Sequence, residues 1–494
     1  MRIEQSEIIG VLASFNPWWR GDRFSDLATW RRAVFAEFYH WVTNPPTHRA
    51  VLISGARQIG KTTLLMQAIE KLIQDGVSAG NILYATCDHP VIKLAGIEAV
   101  LSAWREREPQ QEGPEYIFLD EAQFLKDWGT WIKHQVDFHK HRRVIFTGSA
   151  SPLLEANQES GVGRWHTIRL TTLSFYEYLQ IKKLRLPALP SLSSLKSLFV
   201  WEKRDIYETK ELALPYIAHF HEYLVRGGFP QSALMATIPQ AQRLLREDIV
   251  DKVLKRDMTA LFGVRRVLDL EYLFLYLCRH DGSVIDMNAL CSNLEIKRPT
   301  AQHFISLLEA AHLIYRLSPF GYGKEILRGR YKIYLADAAI APAVMLTGRS
   351  ILDDPVALGV AAEAAVLRHL FMRYYSQNVR FSYWRGKKGS KELEVDLVAE
   401  LDGQIVPFEV KYRNQHTSFA DLRGLPFFCE QRRTDRGYVV TKSLDDFGLL
   451  PQSVEGAVPL FKLPAVLLCY WMGEMEMAIG PTGIEHHSFT PAIP

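Results

Sequence analysis

The run Gly55-Ala56-Arg57-Gln58-Ile59-Gly60-Lys61-Thr62 has glycines, a lysine and a hydroxyl at the spacing of a phosphate-binding loop, and it directly follows the apolar stretch Ala50-Val51-Leu52-Ile53. Gly55 and Gly60 let the backbone wrap closely around a phosphate chain. Successive N–H groups at Arg57, Gln58, Ile59, Gly60, Lys61, Thr62 and Thr63, and the N-terminus of the following helix, then point at the negative charge. Lys61 is placed to reach the β- and γ-phosphates of ATP, and the Thr62 hydroxyl to ligate Mg²⁺. A second apolar run, Tyr116-Ile117-Phe118-Leu119, ends in Asp120-Glu121. Asp120 can hold the ion through its water shell and Glu121 can polarise an attacking water. Paired carboxylates after a strand also cap helices, but behind a glycine loop the chemical reading is the stronger one. A third run, Val144-Ile145-Phe146, ends in Thr147-Gly148-Ser149, where a hydroxyl could sense a γ-phosphate, and Ser149 is favoured over Thr147. Arg164, in Gly161-Val162-Gly163-Arg164, suits a finger that stabilises transition-state charge in its own or a neighbouring subunit; an ordinary surface ion pair is the alternative.

A second group of charged residues lies near the C-terminus. Glu363 falls within a helical stretch, 358–375, and Asp396 within the alternating run Glu394-Val395-Asp396-Leu397-Val398. Glu409 and Lys411, two apart in Ile405-Val406-Pro407-Phe408-Glu409-Val410-Lys411, project from one face of a strand. Glu363, Asp396 and Glu409 supply hard oxygen ligands for Mg²⁺, with Mn²⁺ as the alternative. Lys411 would orient a water or stabilise developing charge. The bland alternative is an amphipathic hairpin with a surface Glu–Lys ion pair.

These motifs carry a resemblance. Asn16-Pro17-Trp18-Trp19, the loop ending Gly60-Lys61-Thr62-Thr63-Leu64-Leu65, Leu119-Asp120-Glu121, Thr147-Gly148-Ser149, Leu173-Ser174-Phe175-Tyr176-Glu177-Tyr178 and Gly227-Gly228-Phe229-Pro230 are together similar to bacterial and archaeal AAA-type ATPases. In that family the C-terminal half is a domain of unassigned function similar to the PD-(D/E)XK nuclease fold. The resemblance covers most of the chain and implies an ATPase. It also implies Glu363 as the helix acid, Asp396 as the first strand acid, and Glu409 with Lys411 as the E-x-K pair. Thr172 stands where the family has proline, and Val395 where the nuclease pattern name has proline.

The elements that must position these groups follow from length and pattern. A chain of 494 residues is too long for one core, and 48% hydrophobic with 23% charged residues is a globular composition. The expected fold class is α/β. It combines a parallel-sheet P-loop NTPase core, a helical lid, a winged-helix domain and a C-terminal α/β restriction-endonuclease-like domain. The expected boundaries are a helical lead-in over 1–48, the ATPase core over 49–180, the lid over 181–265, the winged helix over 266–345 and the nuclease-like domain over 350–494. The lid follows from the resemblance. Five scattered cysteines give neither a zinc spacing nor a disulfide framework. No apolar stretch reads as a membrane span, with 463–472 the strongest candidate, and no leader is evident, so a cytoplasmic location without membrane contact is expected.

A net charge of +3 does not by itself indicate nucleic acid. DNA is nonetheless expected as a partner through its phosphates, at Lys297 and Arg298 before a recognition-type helix, at Lys324, Arg328, Arg330 and Lys332 on the following wing, and at Lys388. A homo-oligomer is expected. The function expected is ATP-driven action on DNA with metal-dependent binding or cutting by the last domain. The competing reading is a nucleotide-gated switch that contacts a protein.

Overall fold

In the computed structural model the apolar run before the glycine loop is β1 (Ala50–Gly55), buried along its whole length, as a strand covered on both faces must be. The structure describes residues 3–480 apart from 23, 25, 149–162, 322–329, 378, 389–390, 402 and 452–456. The chain divides into two units: 1–171, joined by 310–312 and the chain from 478, and 172–309 with 313–477.

The first unit opens with α1 (Gln5–Phe15) and α2 (Phe35–Thr43). Its sheet is parallel, with β2 (Ile82–Thr86), β3 (Glu115–Asp120), β4 (Arg142–Gly148) and β5 (Trp165–Leu170) joining β1 in the order β2-β3-β4-β1-β5. Helix α3 (Lys61–Gln74) leads from β1 to β2, α4 (Pro90–Ala95) and α5 (Ile97–Arg107) lead to β3, and α6 (Trp128–Phe138) leads to β4. Because the strands are parallel, Gly55, Asp120 and Gly148 emerge at the same edge, where α/β sheets bind ligands. Because β4 lies between β1 and β3, its last residues stand between the glycine loop and the acids.

Edge strand β2 is covered by the lead-in. The Asn16 amide exchanges two hydrogen bonds with the Tyr84 backbone, at 2.8 and 2.7 Å, and Trp19 donates to the Ile82 carbonyl at 2.9 Å. The edge is thereby closed to another strand. Ile8 and Leu12 of α1 join Leu52, Leu83, Ile117 and Phe146 in one core.

The second unit begins with α7 (Phe175–Ile181), α8 (Lys203–Ala213), α9 (Tyr216–Arg226), α10 (Pro230–Leu234) and α11 (Ile238–Leu244). A π-helical stretch, Leu245–Asp257, and α12 (Met258–Phe262) follow. Next come α13 (Val267–Arg279), β6 (Ser283–Val284), α14 (Met287–Leu294), α15 (Arg298–Ala310), β7 (Ile314–Pro319), β8 (Lys332–Leu335) and α16 (Ile340–Val344). The last part runs through α17 (Pro355–Arg373), β9 (Arg380–Lys388), β10 (Lys391–Leu401), β11 (Gln404–Lys411), α18 (Gly424–Arg432), β12 (Gly437–Thr441), β13 (Gly448–Leu449), β14 (Leu460–Pro464) and α19 (Ala465–Met477).

The winged helix is expected over 266–345, with the ribbon 317–334 as its wing. The β7–β8 ribbon is continuous with the C-terminal sheet, whose order is β13-β14-β12-β11-β10-β9-β7-β8-β6. The join is the parallel pairing of Ser318 with Ser382 and Pro319 with Tyr383, which satisfies an edge of β7 that a free ribbon would expose.

Helix α17 also departs from the sequence expectation. By length and composition alone its 19 residues could cross a membrane, at mean hydropathy 1.4, yet 61% of that window is buried inside the protein. Its apolarity is that of a core helix, and it carries Glu363, Arg368 and His369. The five cysteines are free.

Candidate functional site

The glycine loop bends through two left-handed residues, Gln58 at φ 57° and Gly60 at φ 99°, before α3 begins at Lys61. Gly55 is required for a different reason, since a Cβ there would lie 2.3 Å from the Leu170 carbonyl oxygen of β5. Arg32 fixes the loop from outside, donating to the Ile59 carbonyl at 3.2 Å and the Thr171 carbonyl at 2.8 Å. Arg57 is partly exposed, while Thr62 and Thr63 are exposed on the first turn of α3. The buried Lys61 ammonium donates to the Gly55 and Ala56 carbonyls, at 3.1 and 3.0 Å, and lies 3.7 Å from Glu121.

Asp120 organises the other side. Its Oδ2 accepts from the Thr62 hydroxyl at 2.6 Å and from the Tyr84 hydroxyl at 3.0 Å, and its Oδ1 accepts from Thr147 at 2.5 Å. Burial and the Asp120 charge push the Tyr84 phenol up, so it remains a donor. The Glu121 backbone is left-handed at φ 54°, and its N–H donates to the Thr147 hydroxyl at 2.8 Å. Its carboxylate accepts from Gln123. Thr147 therefore bridges both acids from the intervening strand. The serine favoured in its place, Ser149, lies outside the described residues.

Arg164 stands elsewhere. It precedes Trp165, which pairs with Ala50, so it sits at the start of β1, about 17 Å along the strand from the loop. There its Nε donates to Asp137 at 3.2 Å. The arginine at the loop end of β5 is Arg169, opposite Ser54. Arg169 donates to Nδ1 of His312 at 3.5 Å, and Nε2 of that ring is 2.9 Å from the Ser54 hydroxyl. An arginine can only donate, so Nδ1 accepts and the proton on Nε2 is left for Ser54. Burial, with Arg169 and Lys61, pushes His312 well below its ordinary value and keeps the ring neutral. Nothing in the local sequence marks His312, because it meets the loop from a segment far along the chain.

In the second unit Glu363 and Asp396 meet, but around a lysine. Lys332 of β8, whose side chain is 2% exposed, lies 2.9 Å from Glu363, 2.9 Å from Asp396 and 3.2 Å from Glu394. Its ammonium is therefore buried and does not serve as a wing phosphate contact. Asp396 lies within a register shift between Val395 and Val398 of β10, a bulge of the kind that re-aims a side chain. Its Oδ2 accepts from the Val410 N–H at 2.9 Å, and Tyr334 donates to Glu363.

Glu409 pairs instead with Lys411 at 2.7 Å, and one of its oxygens is buried without a hydrogen-bond partner. Burial pushes Glu409 up to about 7, against the opposing pull of Lys411. Burial also raises Glu363, whereas Lys332 and the Val410 N–H outweigh burial at Asp396 and hold it low. Among the described residues no group of three or more His, Cys, Asp or Glu side chains is arranged to hold a metal ion. The expected trio of Glu363, Asp396 and Glu409 is thus divided between two lysines.

Comparison with known proteins agrees with the first unit. Residues 47–179 match the AAA domain family, while 217–350 and 358–463 match two domains of unknown function, DUF8612 and DUF4143. An uncharacterized protein of Haemophilus influenzae is 27% identical over 372 residues, spanning 73% of this chain and 82% of the relative. One from Methanocaldococcus jannaschii is 22% identical over 353 residues, spanning 69% and 71%. Among solved structures, Aeropyrum pernix ORC1 in complex with DNA aligns at a TM-score of 0.28 and 12% identity, over 70% of this chain and 93% of that one. AMPPCP-bound DnaA from Aquifex aeolicus aligns at 0.23 and 16%, over 55% and 84%. The glycine loop and the acid pair both fall within the matched segment: residues 47–179 are an AAA domain.

Proposed function

We propose that the chain hydrolyses ATP at the edge of its parallel sheet and uses the turnover to act on DNA through the second unit. The observation that carries the reading is the network in which Thr62, Asp120, Thr147 and Glu121 are joined within hydrogen-bond distance beside Lys61. Thr62 and Asp120, hard oxygen donors 2.6 Å apart, fit Mg²⁺, which when bound would neutralise phosphate charge. Lys61 faces the β- and γ-phosphates. Glu121 orients the attacking water and takes up its proton. Thr147 holds the Asp120 carboxylate and the Glu121 backbone N–H to one geometry. Removing one hydrogen bond to a charged group costs about 1.5–3 kcal/mol, so Thr147→Val is expected to slow hydrolysis roughly tenfold to a hundredfold at nearly unchanged ATP affinity. Steady-state turnover with parallel nucleotide titration reads both, and an unchanged kcat would remove Thr147 from the site. Arg164, at the opposite end of β1, could reach a nucleotide only on a second copy of the chain.

The DNA reading is supported by α15. Its buried face holds Phe304, Leu307 and Leu308. Arg298, Gln302, His303 and Ser306 are exposed on the other face, with Lys297 exposed just before the helix and Arg330 before β8. Helix, strand, two helices and a ribbon in that order support a winged-helix assignment, with α15 toward a groove and basic groups on phosphates. Lys324 and Arg328, and the side chain of Lys388, lie outside the described residues. Duplex, single-stranded and branched DNA should each be compared for stimulation of ATP hydrolysis at low salt. Stimulation should fall steeply as salt rises, because phosphate contacts release counterions. An ATPase rate indifferent to every DNA form would overturn the DNA reading and leave the ATPase intact. It would favour the protein-switch reading, which has its own support in Leu268, Tyr272 and Leu275 of α13, spaced on one helix face and 64%, 56% and 38% exposed.

A further inference from the structure

We propose that Lys332 is a built-in cation that replaces the divalent ion of the C-terminal acidic centre, so that this centre is a metal-free ionic clamp and not a cutting site. The inference is independent of what the first unit does.

Three carboxylates brought together need positive charge to coexist. Here Glu363 comes from α17, and Glu394 and Asp396 from β10. A lysine ammonium has three N–H donors and no acceptor. Lys332 has three carboxylate neighbours within 3.2 Å, one for each donor. Each acid also has a second partner that is not a metal: Tyr334 for Glu363, the Val410 N–H for Asp396, and Arg385 for Glu394 at 2.8 Å. A Mg²⁺ ion would have to draw such oxygens to about 2.0–2.1 Å from its own centre. The ammonium already occupies the point on which they converge, and a second cation beside it would meet a buried like charge.

Glu409, which would complete a metal site, is turned to Lys411 at 2.7 Å. Its second oxygen is buried without a hydrogen-bond partner, and a single monodentate carboxylate is a weak seat for a divalent ion. The positive role of the cluster is mechanical. One side chain from β8 ties that strand to α17 and β10, in the sheet where β7 already pairs with β9.

The test is Mn²⁺ binding to the nucleotide-free full-length protein, read by the EPR signal of free Mn²⁺, in four proteins: wild type, Asp396→Asn, Lys332→Met and Lys332→Met/Asp396→Asn. Wild type and Asp396→Asn should bind Mn²⁺ identically, with no site assigned to Asp396. Lys332→Met should gain one site per chain that the double variant lacks, and Mn²⁺ should raise its thermal midpoint while leaving that of wild type unchanged. A wild-type site that disappears in Asp396→Asn overturns the proposal, as does a folded Lys332→Met that gains none. Should Lys332→Met fail to fold, the wild-type and Asp396→Asn pair still decides. Loss of ATPase or of DNA response in any of these proteins would bear on the proposed function and not on this clamp.

Discussion

Glu121→Gln is expected to bind ATP at close to the wild-type affinity and to lose hydrolysis by roughly 10²–10⁴-fold, the range for removing a positioned general base. The substitution keeps the size of the side chain. The Glu121 N–H bond to Thr147 and the Asp120 network belong to the backbone and to neighbouring residues, so they remain. Lys61→Ala should fail differently. Its ammonium holds two loop carbonyls and lies beside Glu121, so its removal loosens the loop as well as deleting the charge that faces the phosphates. At about 1.5–3 kcal/mol for a charged hydrogen bond, ATP affinity should fall at least roughly tenfold, and turnover should disappear. Single-turnover hydrolysis with separate nucleotide titration resolves the two. Wild-type hydrolysis by Glu121→Gln would show that another group orients the water.

The contrast between the two sites shows where sequence reasoning has its reach. The glycine loop and Asp120-Glu121 were legible because each motif is short, contiguous and tied to the end of an apolar strand, so local pattern and tertiary position coincide. The sequence weighs Thr147 against Ser149 only as a γ-phosphate sensor. The contact of Thr147 with the acid pair is not legible there, because strand order is not written in the sequence, and the placement of β4 between β1 and β3 puts its hydroxyl on the Asp120 carboxylate and the Glu121 N–H. The acidic centre shows the limit more sharply. Asp396, Glu363 and Lys411 were found from i,i+2 alternation and resemblance, yet the residue that decides their chemistry, Lys332, reads locally as a wing lysine. One signal was available: in Tyr331-Lys332-Ile333-Tyr334-Leu335 a lysine shares a face with Tyr334 in an otherwise apolar strand. Such a lysine is buried with a partner, since an unpaired one would not stay charged there.

The Leu173-to-Tyr178 and Gly227-to-Pro230 motifs were legible as patterns without a mechanism, and the structure gives them one. They anchor each other. The Leu173 N–H donates to the Gly228 carbonyl at 2.7 Å, and the Gly228 N–H donates to Asp337 at 2.7 Å. A Cβ at Gly228 would lie 2.7 Å from the Leu173 carbonyl oxygen. Ser174 and Glu177 form a reciprocal cap on α7, and the Phe175 N–H donates to Nε2 of His369 at 2.7 Å. Burial and the adjacent Arg368 push His369 down to about 3, which keeps that nitrogen an acceptor.

Arg368→Met should be the most destabilising single change in this anchor, lowering the stability of the second unit by about 3–5 kcal/mol, the cost of stranding buried charge. Arg368 is 2% exposed, with Glu476 at 3.3 Å and Glu177 at 3.8 Å, and it donates to the Thr172 carbonyl. Methionine fills much of the volume but removes the buried guanidinium that both carboxylates face. Adding Glu476→Gln to Arg368→Met should recover part of the loss, since one stranded charge is then removed. Urea unfolding combined with hydrogen exchange along α17 measures both variants. If Arg368→Met unfolds at the wild-type midpoint, the buried carboxylates are neutralised by something other than Arg368. If the double variant is no more stable than Arg368→Met, stranded charge is not the cause of the loss.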